Sequence, residues 1–231
     1  MIPFKLLRLN SSPIYEQLLI EEALLRTDTG NWCLINTGSP PAIVLGISGK
    51  PEQMISPHNT LPVIRRFSGG GTVVVDENTT FVTFIVNNNE INIAGCPKRL
   101  MEWSHAFYKP VFGEIPYQLQ ENDYAIGLKK IGGNAQYLRK DRWLHHTTFL
   151  WDYMQERMES LQHPPKMPAY RANRPHSEFL SKLKDYFPSR EEFHKRIEDQ
   201  LRQDFRITVV KLEDLGDILE RPHRRVTTLL L

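Results

Sequence analysis

Apolar positions change their period several times along this chain, and each change marks an element. Over residues 13–26, Leu18, Leu19, Ala23, Leu24 and Leu25 recur at helical spacing, with Glu21 and Glu22 on the other face. Pro13 after Ser12 fits the start of a helix. Trp32–Asn36 and Ala42–Leu45 are short apolar runs split by a Gly-Ser-Pro-Pro turn, which predicts two buried strands. Residues 49–62 read as a polar loop, and residues 63–67 and 72–75 as strands around three glycines. Residues 79–87 alternate through Phe81, Thr83 and Ile85, whereas residues 98–112 place Leu100, Trp103, Phe107 and Val111 on one helical stripe. A hairpin through Gly127 is predicted from 123–126 and 130–138, followed by a strand over 145–153. Residues 160–188, rich in Pro, Arg and His, predict an irregular connector or lid. Ser189-Arg190-Glu191-Glu192 is a capping box, and Phe193, Ile197 and Leu201 continue it as an amphipathic helix before a strand over 207–212. Helices and strands do not alternate regularly, so the expected class is α+β, with mixed β-sheets flanked by helices.

Composition narrows the function classes. With 231 residues and 40% hydrophobic content the chain can build a real core, here read as a single domain over 1–231 with a terminal helix–strand extension over 189–231. A net charge of +2 offers no general electrostatic case for nucleic acid or membrane binding. No apolar run approaches a membrane span. The acids Glu16, Glu21, Glu22 and Asp28 argue against a signal or transit peptide over residues 1–30. Cys33 and Cys96 are too few for a disulfide framework, so a reducing, cytoplasmic setting is expected.

The chemistry concentrates in residues 65–76, Arg-Arg-Phe-Ser-Gly-Gly-Gly-Thr-Val-Val-Val-Asp. Glycines let a ligand lie against the main chain, successive N–H groups cradle anions, and arginine supplies a fork of donors for phosphate or carboxylate. A loose turn with solvated flanks is the plain alternative. The run lacks the Gly-Lys-Ser/Thr end and following helix of a P-loop. A second cluster, Lys129-Lys130-Ile131-Gly132-Gly133-Asn134-Ala135-Gln136, precedes His145-His146-Thr147-Thr148.

With these three clusters in this order the chain resembles the lipoate–protein ligase family, within the biotin/lipoate ligase fold group. The matching patterns are Arg-Arg-x-Ser/Thr-Gly-Gly-Gly-x-Val, then Arg/Lys-Lys-x-x-Gly-x-Ala, then a His-His-Gly-Thr-like strand. Ala42–Leu45 with Gly46 is similar to the family's Pro-x-Val-Ile-Gly strand. The resemblance is good over residues 5–150 and loose beyond. It implies a class II synthetase-like catalytic fold and a two-step reaction. ATP activates lipoate as lipoyl-AMP, and a lysine of an apo lipoyl domain (dehydrogenase E2 subunits, glycine cleavage H protein) then takes the acyl group.

The resemblance also assigns roles. Lys130 is the principal cation, touching both the lipoate carboxylate and the α-phosphate; Lys129, its strand neighbour, points the other way. Arg66 binds phosphate, with Arg65 in support. Gly69 and Gly70 let lipoate pack on the backbone, and Gly71, Thr72, Val73 and Val74 line the nucleotide site. Asp123 and Asn134 contact the nucleotide, a turn-stabilising amide being the alternative for Asn134. Asp76 holds Mg²⁺ or, equally, caps a turn. His146 orients the lipoate-binding loop; a zinc site is not expected from two histidines alone. Val44, Phe67, Val73 and Phe81 are the expected lining of an apolar slot, or simple core.

Several positions depart from the family. Val75 stands where many members have His, Glu77-Asn78-Thr79 replaces a Gly-Asn continuation, and Thr147 replaces a glycine. The accessory C-terminal domain of long members is expected to be missing. Adenylation is then slow, unaided, or dependent on a separate accessory protein, and a monomer is expected. The alternative enzyme is an octanoyl or lipoyl transferase, which needs a cysteine nucleophile. The stretch 118–123, where its nearest relatives carry that cysteine, has none. A biotin ligase would carry a Gly-Arg-Gly-Arg signature, which is lacking. A module that binds acyl groups or lipoyl domains without catalysis is the remaining alternative.

Overall fold

In chain order, the computed structural model places β1 (Pro3–Leu9), α1 (Ile14–Thr27), β2 (Trp32–Asn36), β3 (Ala42–Leu45), α2 (Pro51–Met54), β4 (Val63–Arg65), β5 (Val73–Val75), β6 (Thr79–Asn87) and α3 (Pro97–Phe112) in the first half. The second half holds β7 (Tyr117–Gln120), β8 (Asp123–Ile126), β9 (Lys129–Leu138), β10 (Arg142–Leu150), α4 (Gln155–Met158), α5 (His176–Phe179), α6 (Arg190–Asp204), β11 (Arg206–Val210), α7 (Gly216–Leu219) and β12 (Thr228–Leu229). The structure describes residues 1–93, 95–162 and 167–230.

Two mixed sheets result. The larger has eight strands in the order β11-β1-β2-β6-β10-β9-β8-β7, and the smaller has four in the order β12-β4-β3-β5. In the larger sheet β1 pairs in parallel with both β11 and β2. From β2 through β7 every pairing is antiparallel. In the smaller sheet β3 runs parallel to β4 and antiparallel to β5. Helices α3 and α6 bury Leu100, Phe107, Val111, Phe193, Ile197 and Leu201 against Phe84, Trp143 and Phe149 of the large sheet. The rings there meet mainly edge to face, as with Phe84 and Phe107 at 4.9 Å and Phe149 and Phe193 at 5.3 Å. The Ser189 half of the capping box forms, its Oγ accepting from the N–H of Glu192 at 3.1 Å, while the Glu192 carboxylate accepts from Arg196 Nε at 2.8 Å. Among the described residues no helix is long and apolar enough to cross a membrane.

Sequence patterning missed three strands, β1, β7 and the two-residue, exposed β12. β1 carries Lys5 and Arg8 and buries the adjacent Leu6 and Leu7 together, so it has no clean two-residue alternation. β7 is a half-buried edge strand with two glutamines, read above as part of a cysteine-free loop. The strand expected over 145–153 instead begins at Arg142 and ends at Leu150. The polar loop over 49–62 contains the single turn α2. Within 160–188 the described residues form short turns, Ala169–Arg171, α5 and Leu183–Asp185; residues 163–166 of that connector, and residue 231 of the terminal extension, lie outside the described residues.

The polar face expected for α1 is also overturned, because Glu21 and Glu22 are fully buried. Glu22 accepts the backbone N–H groups of Val226 and Thr227 at 3.0 Å each and pairs with Arg26 at 2.8 Å. Glu21 accepts from Gln17 and Thr83 at 2.7 Å each. Buried carboxylates persist only when hydrogen-bonded in this way. Gln17 and Arg26 lie one helical turn away, but Thr83, Val226 and Thr227 come from distant parts of the chain, which helical periodicity cannot register.

Candidate functional site

A cavity of about 710 Å³ is lined by residues of both sheets and of the 167–180 segment. Arg66, Gly69, Gly70, Gly71, Thr72, Val73, Val74, Asp123, Lys130, Asn134 and His146 all line it. Three clusters far apart in sequence therefore converge on one space.

The triglycine loop is pinned to β9: Gly69 N–H donates to Gln136 O at 2.9 Å, and Gln136 N–H returns to Gly69 O at 3.2 Å. Gly70 has φ +126°, and a Cβ there would lie 2.6 Å from Arg66 Nη2 and 2.8 Å from Asn134 O. A Cβ at Gly46 would approach Gly70 O to 2.2 Å, so the loop tolerates only hydrogen at both positions. Arg66 threads against this loop. Its Nη2 donates to Gly71 O at 2.8 Å and more weakly to Gly69 O at 3.4 Å, while its buried Nε has no partner. Burial lowers its pKa to about 10, opposed by the Glu21 charge. This modifies the expected phosphate role: Arg66 is first a brace that shapes the loop. Arg65 supports the neighbouring backbone through Gly49 O at 2.8 Å and Ile47 O at 3.1 Å.

Strand alternation separates the two lysines, leaving Lys129 exposed while Lys130 enters the cavity. Lys130 Nζ lies 2.8 Å from Asp123 Oδ1, and Tyr170 OH donates to Asp123 Oδ2 at 3.0 Å. The Lys130 carbonyl accepts Ser181 N–H at 2.8 Å, tying the connector to β9. A Cβ on Gly133 would come within 3.2 Å of Lys130 Nζ, so glycine there leaves room for the ammonium.

The two histidines face opposite ways, as strand geometry requires. His145 meets Tyr124 OH at 3.1 Å, and burial holds its pKa near 3. His146 meets Glu21 Oε1 at 2.9 Å and Thr83 Oγ1 at 3.0 Å through Nδ1.

At three positions the contacts match the plainer of the two expected roles. Asp76 does not line the cavity. Its Oδ1 accepts Asn78 N–H at 2.8 Å and its Oδ2 pairs with Arg157 at 2.8 Å, so both oxygens serve a turn and an ion pair. The Mg²⁺ role does not fit this carboxylate. Asn134 lines the cavity, but its amide is engaged on both sides, donating to Asn122 O at 3.1 Å and accepting from Thr147 Oγ1 at 2.9 Å. That is the turn-and-strand stabilising role, and Thr147 supplies the hydroxyl where the family has glycine. Phe67 lies outside the lining and packs on Tyr137 at 5.6 Å, whereas Val44, Val73 and Phe81 do line it.

Sequence reasoning missed Arg171 and the apolar wall of Met54, Met158, Phe179 and Leu180, all of which line the cavity, and Glu21 and Tyr170, which hold the lining residues His146 and Asp123. The one signal for Tyr170 and Arg171 was the unusual Arg and Pro content of the connector.

The triglycine cradle and a lysine ammonium in one cavity agree with what a family comparison finds. Residues 13–204 match the lipoyl protein ligase A/B catalytic domain. The chain belongs to this family. Among curated relatives, it is 28% identical to the inactive lipoate–protein ligase 2 of Plasmodium falciparum, over 74% of this chain and 61% of that protein. The chain thus spans about three fifths of the length of the curated relative it matches. Its fold matches the bipartite lipoate protein ligase of Thermoplasma acidophilum, solved in a study of that ligase and its E2 lipoyl domain. The TM-score is 0.74 at 17% identity, covering 95% of this chain and 91% of that one. Lipoate–protein ligase A bound with ATP aligns with TM-score 0.69 at 16% identity, covering 95% and 93%. The α+β expectation of mixed sheets in a lipoate ligase catalytic fold is therefore borne out.

Proposed function

We propose that this lipoyl ligase-family chain joins lipoate to ATP as lipoyl-AMP and then transfers the lipoyl group to a lysine of an apo lipoyl domain. Dehydrogenase E2 subunits and the H protein are the acceptors in view. In the first step a carboxylate oxygen attacks the α-phosphorus and pyrophosphate leaves. In the second, the acceptor amine attacks the acyl carbonyl and AMP leaves. Negative charge builds on the phosphoryl and then on the acyl oxygen, and a fixed ammonium beside free main-chain N–H groups stabilises both. The single observation that carries this reading is that Lys130 and the Gly69–Gly71 backbone line one cavity. Val44, Leu150, Met158 and Phe179 supply an apolar wall for the acyl chain, at about 0.8 kcal/mol per buried methylene.

The transferase alternative is disfavoured by chemistry. Cys33 is fully buried with its thiol pKa pushed up by burial, and neither Cys33 nor Cys96 lines the cavity. The likeness to a ligase named inactive favours a second reading, in which the chain binds an acyl group or lipoyl domain without adenylating. One experiment separates them. The protein is incubated with Mg-ATP, lipoate and an apo lipoyl domain, and acceptor mass is followed. The ligase reading expects the lipoyl mass increment to require ATP. Binding of the lipoyl domain with no increment, even with synthetic lipoyl-AMP supplied, would establish the non-catalytic reading.

A further inference from the structure

Helices α3 and α6 pack together over the face of the large sheet that carries Phe84. Strand alternation sets this face opposite the one where the neighbouring Thr83 meets His146 at 3.0 Å. Between the helices lies a second cavity, of about 250 Å³. Trp103, Ala106 and Phe107 of α3 line one side, and Gln200, Asp204 and Phe205 at the end of α6 line the other. It shares no lining residue with the larger cavity, and the reaction proposed above uses none of its side chains.

The chemistry of this cleft points to one kind of ligand. Its walls are aromatic: the planes of Trp103 and Phe107 lie 19° apart with centres at 6.2 Å, and those of Phe107 and Phe205 lie 20° apart at 6.5 Å. Gln200 is 8% exposed, yet its amide has no hydrogen-bond partner among the described residues and is not shut away from solvent. A buried amide without a partner is costly, and the cleft is where a ligand can reach this one. Asp204 lies one helical turn further along the same side of α6, and its carboxylate has no hydrogen bond or ion pair among the described residues. Arg202, the basic residue of that last turn, faces Glu198 at 3.8 Å instead. The α6 helix ends here, which adds the negative end of its dipole. Among the described residues no cation lines the cleft. Negative potential over ring surface repels an anion, and a purely apolar occupant would leave the Gln200 amide and the Asp204 carboxylate without partners. The volume falls below the range of about 300–1,000 Å³ typical of drug-sized pockets, so the occupant is a small group.

We propose that the α3–α6 cleft binds an organic cation, an ammonium or guanidinium on a short alkyl stem. The stem lies against the rings, and the head donates to the Gln200 amide oxygen and the Asp204 carboxylate. Such a group is carried by a free alkylamine or alkylguanidine, or by a lysine or arginine side chain of a protein. The site does not depend on the ligase reading.

Two-dimensional NMR of the full chain tests it. The indole N–H signal of Trp103, assigned by its loss in Trp103→Phe, is followed during titration with butylguanidinium, with neutral pentanamide and with anionic pentanoate. Butylguanidinium is expected to shift this signal saturably with a Kd of about a millimolar. Pentanamide binds about fivefold or more weakly, and pentanoate does not bind. Affinity for butylguanidinium drops about threefold or more in Asp204→Asn and in Gln200→Leu, while the urea midpoint of Asp204→Asn, changed at an exposed position, stays that of wild type. No saturable shift at Trp103 overturns the proposal. Equal affinity for pentanamide, or unchanged affinity in either variant, overturns it as well. An acetylated and amidated Ala-Arg-Ala peptide separates the two sources. Tighter binding than butylguanidinium assigns the cation to a protein side chain, and exclusion of the peptide assigns it to a free small molecule; both outcomes uphold the site.

Discussion

The Lys130 ammonium rests 2.8 Å from Asp123, so an incoming anion must join or displace that carboxylate. Loss of the ammonium removes the charge while Asp123 keeps the Tyr170 hydroxyl at 3.0 Å. Lys130→Ala is therefore expected to fold normally and to lose about a hundredfold or more in ATP–pyrophosphate exchange. Undiminished exchange would reject the role given to Lys130. Residue detail also separates glycines that look equivalent in sequence. Gly70→Ala forces a Cβ to 2.6 Å from Arg66 Nη2 at positive φ, whereas a Cβ at Gly71 meets nothing within 4 Å. Gly70→Ala should cost about 2–3 kcal/mol in urea unfolding. Gly71→Ala should stay within about 0.5 kcal/mol, and equal effects would refute the loop geometry.

At the scale of elements, α1 is joined to β6 and β10 through one buried carboxylate. Glu21 accepts from Gln17, Thr83 and the His146 ring at once, which makes the helix a scaffold for a cavity residue. Glu21→Ala strips three buried groups of their acceptor and is expected to destabilise by about 3 kcal/mol, read from the urea midpoint. A near-neutral result would mean that water replaces the carboxylate. Helix α6 shows the opposite, a locally encoded element. Ser189 caps it as the sequence predicts, and Ser189→Ala should cost about 1 kcal/mol in the same assay. Strand alternation was also legible: it placed Lys129 outward and Lys130 inward, and turned His145 and His146 to opposite faces. β12, only two exposed residues long, was not legible, and neither were β1 and β7. One buries two adjacent leucines beneath charges, and the other is a polar edge that only its neighbour β8 makes a strand.

At the scale of the whole molecule, burial gives stability a pH dependence. Burial depresses His145 to about 3 and His194 to about 4, below the ordinary histidine value. Below about pH 6.5 the unfolded chain takes up protons that these native side chains refuse. Stability is full above that pH and falls as pH drops, by up to about 1.4 kcal/mol per unit for each histidine. Urea unfolding at pH 7.0, 6.2 and 5.5 reads this slope above the main carboxylate range. A flat profile there would contradict the buried neutral state of both rings.

What the chain alone determined was local. Hydrophobic period set most strands and the long helices, because backbone preference and one-sided burial act over a few residues. Three motifs in order located the cradle and the cation, because glycine, arginine and lysine are constrained by the ligand chemistry they serve. Only the tertiary structure decided which charges are spent on the fold and which remain for a ligand. Arg66 became a brace, Asp76 a turn-capping partner of Arg157, and Asn134 a strut, while Tyr170 and Arg171 came forward from a connector that had no periodicity to read. The physical reason is separation. Tyr170 meets Asp123 across 47 positions, and Glu21 meets His146 across 125. Such pairings arise from chain packing, and a buried donor's task is defined only once its partner, or the lack of one, is in place.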